Sequence, residues 1–267
     1  VEVLVATVVL AIGFLELARA FSNISGVAVQ AVAMTKASNL AHATMERIMA
    51  QNFDARGNDL EFGDYALDFD GTDDYVDVGN VTTGIRTISF WVKADAISTH
   101  TDYVIYLNVA DYIKIVNGEV TVNSINSPTY YINAVAGERT IATIDAWYHV
   151  AITTATGIVA NDVDIGRVEE VGTEFFSGKI DEVRLWNDVR TASEIKANYN
   201  RSLSDPYEET NLKLYLRMNN GSGSISFDHS SSMAHGTITN SGASIWTSQS
   251  ISWSTILGKE TEASWSA

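Results

Sequence analysis

The sequence predicts an α+β chain, a long N-terminal α-helix followed by an antiparallel β-sandwich. Three observations carry this. Composition and charge change abruptly near Arg56-Gly57-Asn58-Asp59, a turn-like cluster. Before that point apolar residues recur at three- and four-residue steps, the period of a helix. After it, short runs alternate apolar and polar residues between Gly, Asn and Asp turns, the period of strands. The chain has 267 residues, 17 Lys+Arg, 33 Asp+Glu and a formal net charge of −16. Residues 1–57 are neutral, with four acids and four bases. The whole net charge, all six Trp and all eleven Tyr therefore lie in 58–267.

This balance excludes several classes of function. Nucleic-acid binding needs clustered Lys and Arg to neutralise phosphates, and none are clustered here. A polybasic membrane-surface patch is excluded on the same ground. The absence of Cys removes a disulfide scaffold, a thiolate zinc site and a Cys nucleophile together.

The first element runs from Val1 to about Asp54. Val3–Leu15 carries no charge, yet at 13 residues it falls short of the roughly 18–20 that span a bilayer. Glu16 and Arg19 follow at i,i+3 spacing and can pair. Gly13 and Gly26 permit close helix–helix approach. Such a helix would be about 80 Å long. Its apolar surface is more than one small domain covers, so lipid or further copies of the chain must cover it. A signal peptide fits poorly, because the basic leader and the A-x-A cleavage pattern are missing.

The string VEVLVATVVLAIGF resembles the N-terminal helix of type IV pilins and of the pseudopilins of type II secretion. Glu2 matches the family's glutamate at the head of an uncharged aliphatic run. The string ATMERIMAQNFD is similar to the far end of the same helix in pseudopilins. The resemblance implies that a few residues precede Val1. It also implies that Glu2, Gly13, Phe14, Glu16, Arg19 and Gly26 serve assembly with copies of the same chain in a helical filament. The subunit would sit in the inner membrane before assembly and in an extracellular surface filament afterwards. There is no mid-helix Pro and no C-terminal disulfide, so the usual pilin head is not expected.

From residue 63 onward the strands follow in order. ALDFDG sets Leu67 and Phe69 on one face, and YVDVGN sets Val76 and Val78. TISFWVKAD places Ile88, Phe90 and Val92 opposite Ser89, Trp91 and Lys93. YVIYLNV follows, and YIKIVNGEVTVN reads as a hairpin about Asn117-Gly118. TYYINAV and WYHVAITT come next. FFSGKIDEVRLWN turns Val183 and Leu185 inward, and NLKLYLRM turns Leu212, Leu214, Leu216 and Met218 inward. One short helix is expected, opened by the capping box Thr191-Ala-Ser-Glu194.

The strings ALDFDGTDDYVDVG, TISFWVKAD, WYHVAITT and GKIDEVRLWNDVRTASEIKANYN, in this order, resemble laminin-G-like, concanavalin A-like jelly-roll domains. LKLYLRMNNGSGSISFDHSSSMAHGTI completes the match, which spans about residues 63–247. The resemblance implies a two-sheet jelly roll that binds or adheres more often than it catalyses. It also implies one structural Ca2+, held by Asp70, the Gly71 carbonyl, Asp73 and Asp181.

The residues themselves leave alternatives. Asp68, Asp70, Asp73, Asp74 and Asp77 crowd one strand–turn–strand, which suits calcium and equally suits turn formation. Jelly-roll glucanases need two carboxylates on one face of a strand. Their E-x-D-x-x-E pattern is absent, and adjacent Asp181 and Glu182 are expected to point apart. No enzyme is expected. His149, His229 and His235 lack a third ligand. Tyr103, Tyr106, Tyr112, Tyr130, Tyr131 and Trp246 suit stacking on surface glycans or covering a core.

The chain is thus expected to comprise a helix and linker (1–57), a sandwich head (58–247) and a tail or extra strand (248–267). The expected function is a structural subunit of a type IV pilus-like filament displaying a lectin-like head. The alternatives are a membrane-anchored monomeric carbohydrate- or adhesion-binding module and a secretion pseudopilin.

Overall fold

The structure, a computed structural model, describes residues 65–97, 101–169, 175–239 and 245–248. The chain divides into two units, Val1–Phe53 and Asp54–Ala267, and every described residue belongs to the second. The expected N-terminal helix, with Glu2, Gly13, Phe14, Glu16, Arg19 and Gly26, lies outside the described residues. So does the tail beyond residue 248.

What is described corrects the α+β expectation. It is an antiparallel β-sandwich of jelly-roll type with one seven-residue α-helix, and no long helix occurs among the described residues. Among them, no helix is long and apolar enough to cross a membrane.

The first eight strands are β1 (Ala66–Asp70), β2 (Tyr75–Gly79), β3 (Thr82–Ala94), β4 (Thr101–Tyr106), β5 (Tyr112–Val116), β6 (Glu119–Asn123), β7 (Thr129–Ile132) and β8 (Val135–Ala136). Then come β9 (Tyr148–Ala160), β10 (Val163–Ile165) and β11 (Ser177–Trp186). Helix α1 (Ala192–Asn198) precedes β12 (Leu212–Leu216), β13 (Ile225–Ser226), β14 (Gly236–Thr239) and β15 (Trp246–Thr247). One sheet has the order β15-β1-β11-β3-β9-β7-β8, with β12 sharing an edge of β11 with β1. The other has the order β13-β14-β2-β10-β4-β5-β6.

Period-2 alternation builds the core between these sheets. Leu67, Phe69, Ile88, Phe90, Ile105 and Ile113 are essentially buried there. Phe69 meets Phe176 edge to face at 6.0 Å between ring centroids, a geometry the aromatic quadrupole favours. Asn117 and Gly118 both take positive φ and close the β5–β6 hairpin, as their sequence predicts. The capping box forms as expected: Thr191 accepts from the Glu194 N–H, and Glu194 accepts from the Thr191 N–H.

The core strand β11 departs from simple alternation. Its register against β3 shifts between Asp181 and Arg184, and Glu182 sits at φ 53. Such a bulge adds one residue and re-aims the side chains around it. Near the start of the same strand, Gly178 has φ 136, and a Cβ there would overlap the Lys93 carbonyl. Only glycine suits this close approach.

Candidate functional site

The acidic turn between β1 and β2 is the first candidate. Asp70 Oδ1 accepts from the Thr72 N–H at 2.7 Å, which folds the turn. Gly71 has φ 77 and lies against Ser177, where a Cβ would approach within 3.0 Å of the Ser177 Cβ. Asp70, Asp73 and Asp74 each present a carboxylate oxygen within 4.8 Å of the others. Asp74 is 3% exposed. Its Oδ2 accepts from the Asp70 N–H at 3.1 Å, while its Oδ1 is buried without a hydrogen-bond partner. Burial, together with the charges of Asp70, Asp73 and Asp68, pushes the Asp74 carboxyl up to about 6, against the pull of the Asp70 N–H. An orphaned buried carboxylate oxygen beside two further carboxylates fits a hard cation with oxygen ligands.

Asp181 does not join this cluster. On β11 it stands opposite Trp91 of β3, whereas Ser177 is the residue opposite Asp70. The structure therefore keeps Asp70, Gly71 and Asp73 together, adds Asp74, and places Asp181 four residues along the strand. Asp181 is buried, and desolvation, together with the charge of Glu182, raises its carboxyl well above the usual range.

The outer face of the sheet containing β11 is closed. Glu182 accepts from Arg184, from the Tyr215 hydroxyl and from Ser202 Oγ. Arg184 also donates to the carbonyls of Asn198 and Arg201, at 2.8 and 2.7 Å, which ties the end of α1 to the sheet. The bulge places Asp181 and Glu182 on the same side of β11, where strict alternation predicts opposite faces. Trp91 donates to the Tyr199 carbonyl at 2.8 Å and stacks on its ring, and His149 packs edge-on against both rings. Burial, then the Arg184 charge, lowers His149 to about 3, so it is neutral. The cavity beneath α1 has about 20 Å3, room for about one water and none for a sugar.

The outer face of the second sheet is different. Register places Thr237, Asp77, Asp164, Tyr106, Tyr112 and Asn123 in one row across six strands, β14, β2, β10, β4, β5 and β6. A second row sets Tyr103, Lys114 and Thr121 beside it. Asp77 and Thr237 are exposed, and Tyr112, Lys114, Thr121 and Asn123 are half-buried. Tyr103 and Tyr112 meet at 5.8 Å between ring centroids, and both belong to a cluster with Tyr106 and Val168. Arg167 lies 3.6 Å over the Tyr75 ring and donates to Asp164 Oδ2 at 2.7 Å.

Asp164 is 1% exposed, and its Oδ1 has no hydrogen-bond partner. Burial pushes its carboxyl up to about 6, and the charges of Asp77 and Asp162 add to this while Arg167 opposes it.

No family model matches this chain, and no curated protein matches it. Several solved structures are similar in part, two of them as follows. A protein of Bacteroides ovatus, provisionally described as carbohydrate-binding, is 19% identical with a TM-score of 0.49. The match covers 68% of this chain and 59% of that one, so this chain spans about three fifths of its length. A heptameric SAP-like pentraxin of Limulus polyphemus is 13% identical with a TM-score of 0.33, over 51% of this chain and 82% of that one.

Of the six aromatics singled out from the sequence, three come together: Tyr103, Tyr106 and Tyr112. Tyr131 instead packs with Ile195 of α1, Tyr130 packs against the main core, and Trp246 donates to the Gly223 carbonyl. Asp164, Lys114, Thr121 and Asn123 were not singled out. Each occupies an outward position of an alternating run, which is a legible signal. The Asn117-Gly118 hairpin already sets Lys114 beside Thr121 and Tyr112 beside Asn123, but that β10, with Asp164, and β4 lie beside it is not legible in any local string.

Proposed function

We propose that this chain is a glycan-binding module without catalytic activity, and that it takes its ligand on the outer face of the seven-stranded sheet. The observation that supports this is the accessible part of the outer rows, exposed Asp77 and half-buried Tyr112, Thr121 and Asn123, on a face that α1 leaves free, with Tyr106 and Asp164 buried between them. A sugar has an apolar C–H face and a rim of hydroxyls. A half-buried Tyr112 offers a ring to the first, and the Asn123, Thr121 and Asp77 side-chain oxygens offer acceptors to the second, the Asn123 and Thr121 donors being engaged by the Ala110 and Lys114 carbonyls. Jelly-roll sandwiches are a recurring scaffold for such sites.

Hydrolysis is disfavoured by the same geometry. Asp77 and Asp164 face each other across two strands, and a carboxyl pair of this kind is what glycoside hydrolysis uses. The Asp164 carboxyl, however, is sealed from solvent on Oδ1 and bound by Arg167 on Oδ2. It cannot reach a glycosidic oxygen as a general acid.

Calcium at the acidic turn is the second part of the reading. Asp70, Asp73 and Asp74 would hold it, and it would relieve the orphaned Asp74 Oδ1. Its role there is structural, since it locks the turn that delivers β2 to the binding face. The filament reading rests on residues 1–54, and nothing among the described residues supports it.

The test is glycan-array binding of the full chain, followed by titration of the hits. Tyr112→Ala and Asn123→Ala should each weaken binding tenfold or more while the protein still unfolds cooperatively. Tyr207→Ala, at an exposed ring on another part of the fold, should change nothing. Full binding by both row variants rejects this face.

A further inference from the structure

We infer that the ligand of this face carries negative charge, and that Lys114 reads it: the class is a glycan bearing carboxylate or sulfate groups. The inference rests on the glycan-binding reading of the same face and sharpens it.

Lys114 sits in the middle of β5, with Tyr103 and Thr121 directly opposite it on the two neighbouring strands. Its ammonium lies 6.0 Å from the ring centroids of both Tyr103 and Tyr112. No carboxylate answers it among the described residues. The other cations near this sheet are engaged, Arg167 by Asp164 and Arg139 by Glu119. Lys114 is thus a half-buried cation beside two aromatic rings, with three N–H donors and no carboxylate partner among the described residues.

A neutral sugar laid on Tyr112 would strip water from this ammonium and return no charge, which is unfavourable. A carboxylate or sulfate on the ring would return a charge-assisted hydrogen bond, the stronger kind. The net charge of −16 opposes an anionic ligand at long range. Exposed charges farther than a Debye length of about 8 Å are largely screened at physiological salt, whereas a contact at Lys114 is not. The local cation therefore decides the sign of recognition at this spot.

The test compares matched polymers on the full chain. Polygalacturonate and dextran sulfate supply the two anions, and fully methyl-esterified polygalacturonate and dextran supply the same backbones without charge. Tighter binding to one or both anionic polymers is expected, by tenfold or more over its neutral partner. Lys114→Gln should remove that preference, and Lys114→Arg should keep most of it, with melting temperatures matching the parent. Preference for carboxylate or for sulfate identifies the anion. Equal binding of neutral and anionic partners, or a preference that survives Lys114→Gln, overturns the inference while the glycan-binding reading stands. No binding to any glycan on the array or to any of these polymers overturns both.

Discussion

Asp77 and Asp164 stand directly opposite each other on β2 and β10. Like charges in that position destabilise a sheet. Asp164 is buried and held up to about 6, against 3.8 for a free carboxyl. The folded state therefore takes up a proton more readily than the unfolded one between these values. Stability contributed by this group is highest below about pH 4 and is lost as pH rises through about 6. Asp77→Asn should raise the unfolding free energy at pH 7.5, read from urea unfolding, by about 0.2–1 kcal/mol. The gain should vanish at pH 4, and a gain of equal size at both pH values contradicts the pairing.

Asp74 follows the same sign. A carboxyl moved from 3.8 to about 6 gives up at most about 3 kcal/mol by pH 7. Metal-free protein should therefore melt higher at pH 5 than at pH 7.5 as far as this group is concerned, and calcium should restore stability at pH 7.5 by mass action. Asp74→Asn should raise the melting temperature of metal-free protein at pH 7.5 and abolish the rise with calcium. A calcium response that survives the substitution places the ion elsewhere.

Arg184 is the latch of α1. Removing one member of a buried pair leaves the other uncompensated and costs about 3–5 kcal/mol. Arg184→Ala should lower stability by that order and speed amide exchange over residues 192–201. Paired replacement Glu182→Gln with Arg184→Met should cost less than Arg184→Ala alone. Unchanged exchange around α1 in Arg184→Ala would show that the helix is held by its apolar contacts instead.

Gly178→Ala should be more damaging than its size suggests. Its φ of 136 is open to glycine alone, and the Lys93 carbonyl occupies the space a methyl group needs. We expect a loss of at least about 2 kcal/mol, read from urea unfolding. Gly223→Ala has a positive φ but no neighbour within 4 Å, so it isolates the backbone contribution and should cost less.

Much of the sandwich was legible in the string. Leu67, Phe69, Ile88, Phe90 and Val92 alternate visibly and lie in the core, and Asn117-Gly118 and Thr191–Glu194 form the turn and cap that their chemistry demands. The Asp181–Glu182 step was not legible. Strict alternation sends the two apart, but the register shift in β11 brings both to one side. In NLKLYLRM, Tyr215 and Arg217 alternate with the residues expected to turn inward, yet both are buried; Tyr215 is covered by Glu182, Leu203 and His229.

By itself the sequence determined which residues turn inward, where the hairpin and helix cap fall, and that acids crowd the β1–β2 turn. These depend on neighbours within a few positions, where the backbone period and turn chemistry act. Only the tertiary structure decided which strands lie side by side. That choice separated Asp181 from Asp70, set Asp164 against Asp77, and brought Tyr103 and Tyr106 of β4 beside the β5–β6 hairpin that carries Tyr112, Lys114 and Asn123. The physical reason is that strand order comes from burying the two inner faces together. Beyond the β5–β6 hairpin, the outer rows are assembled as a consequence of that burial.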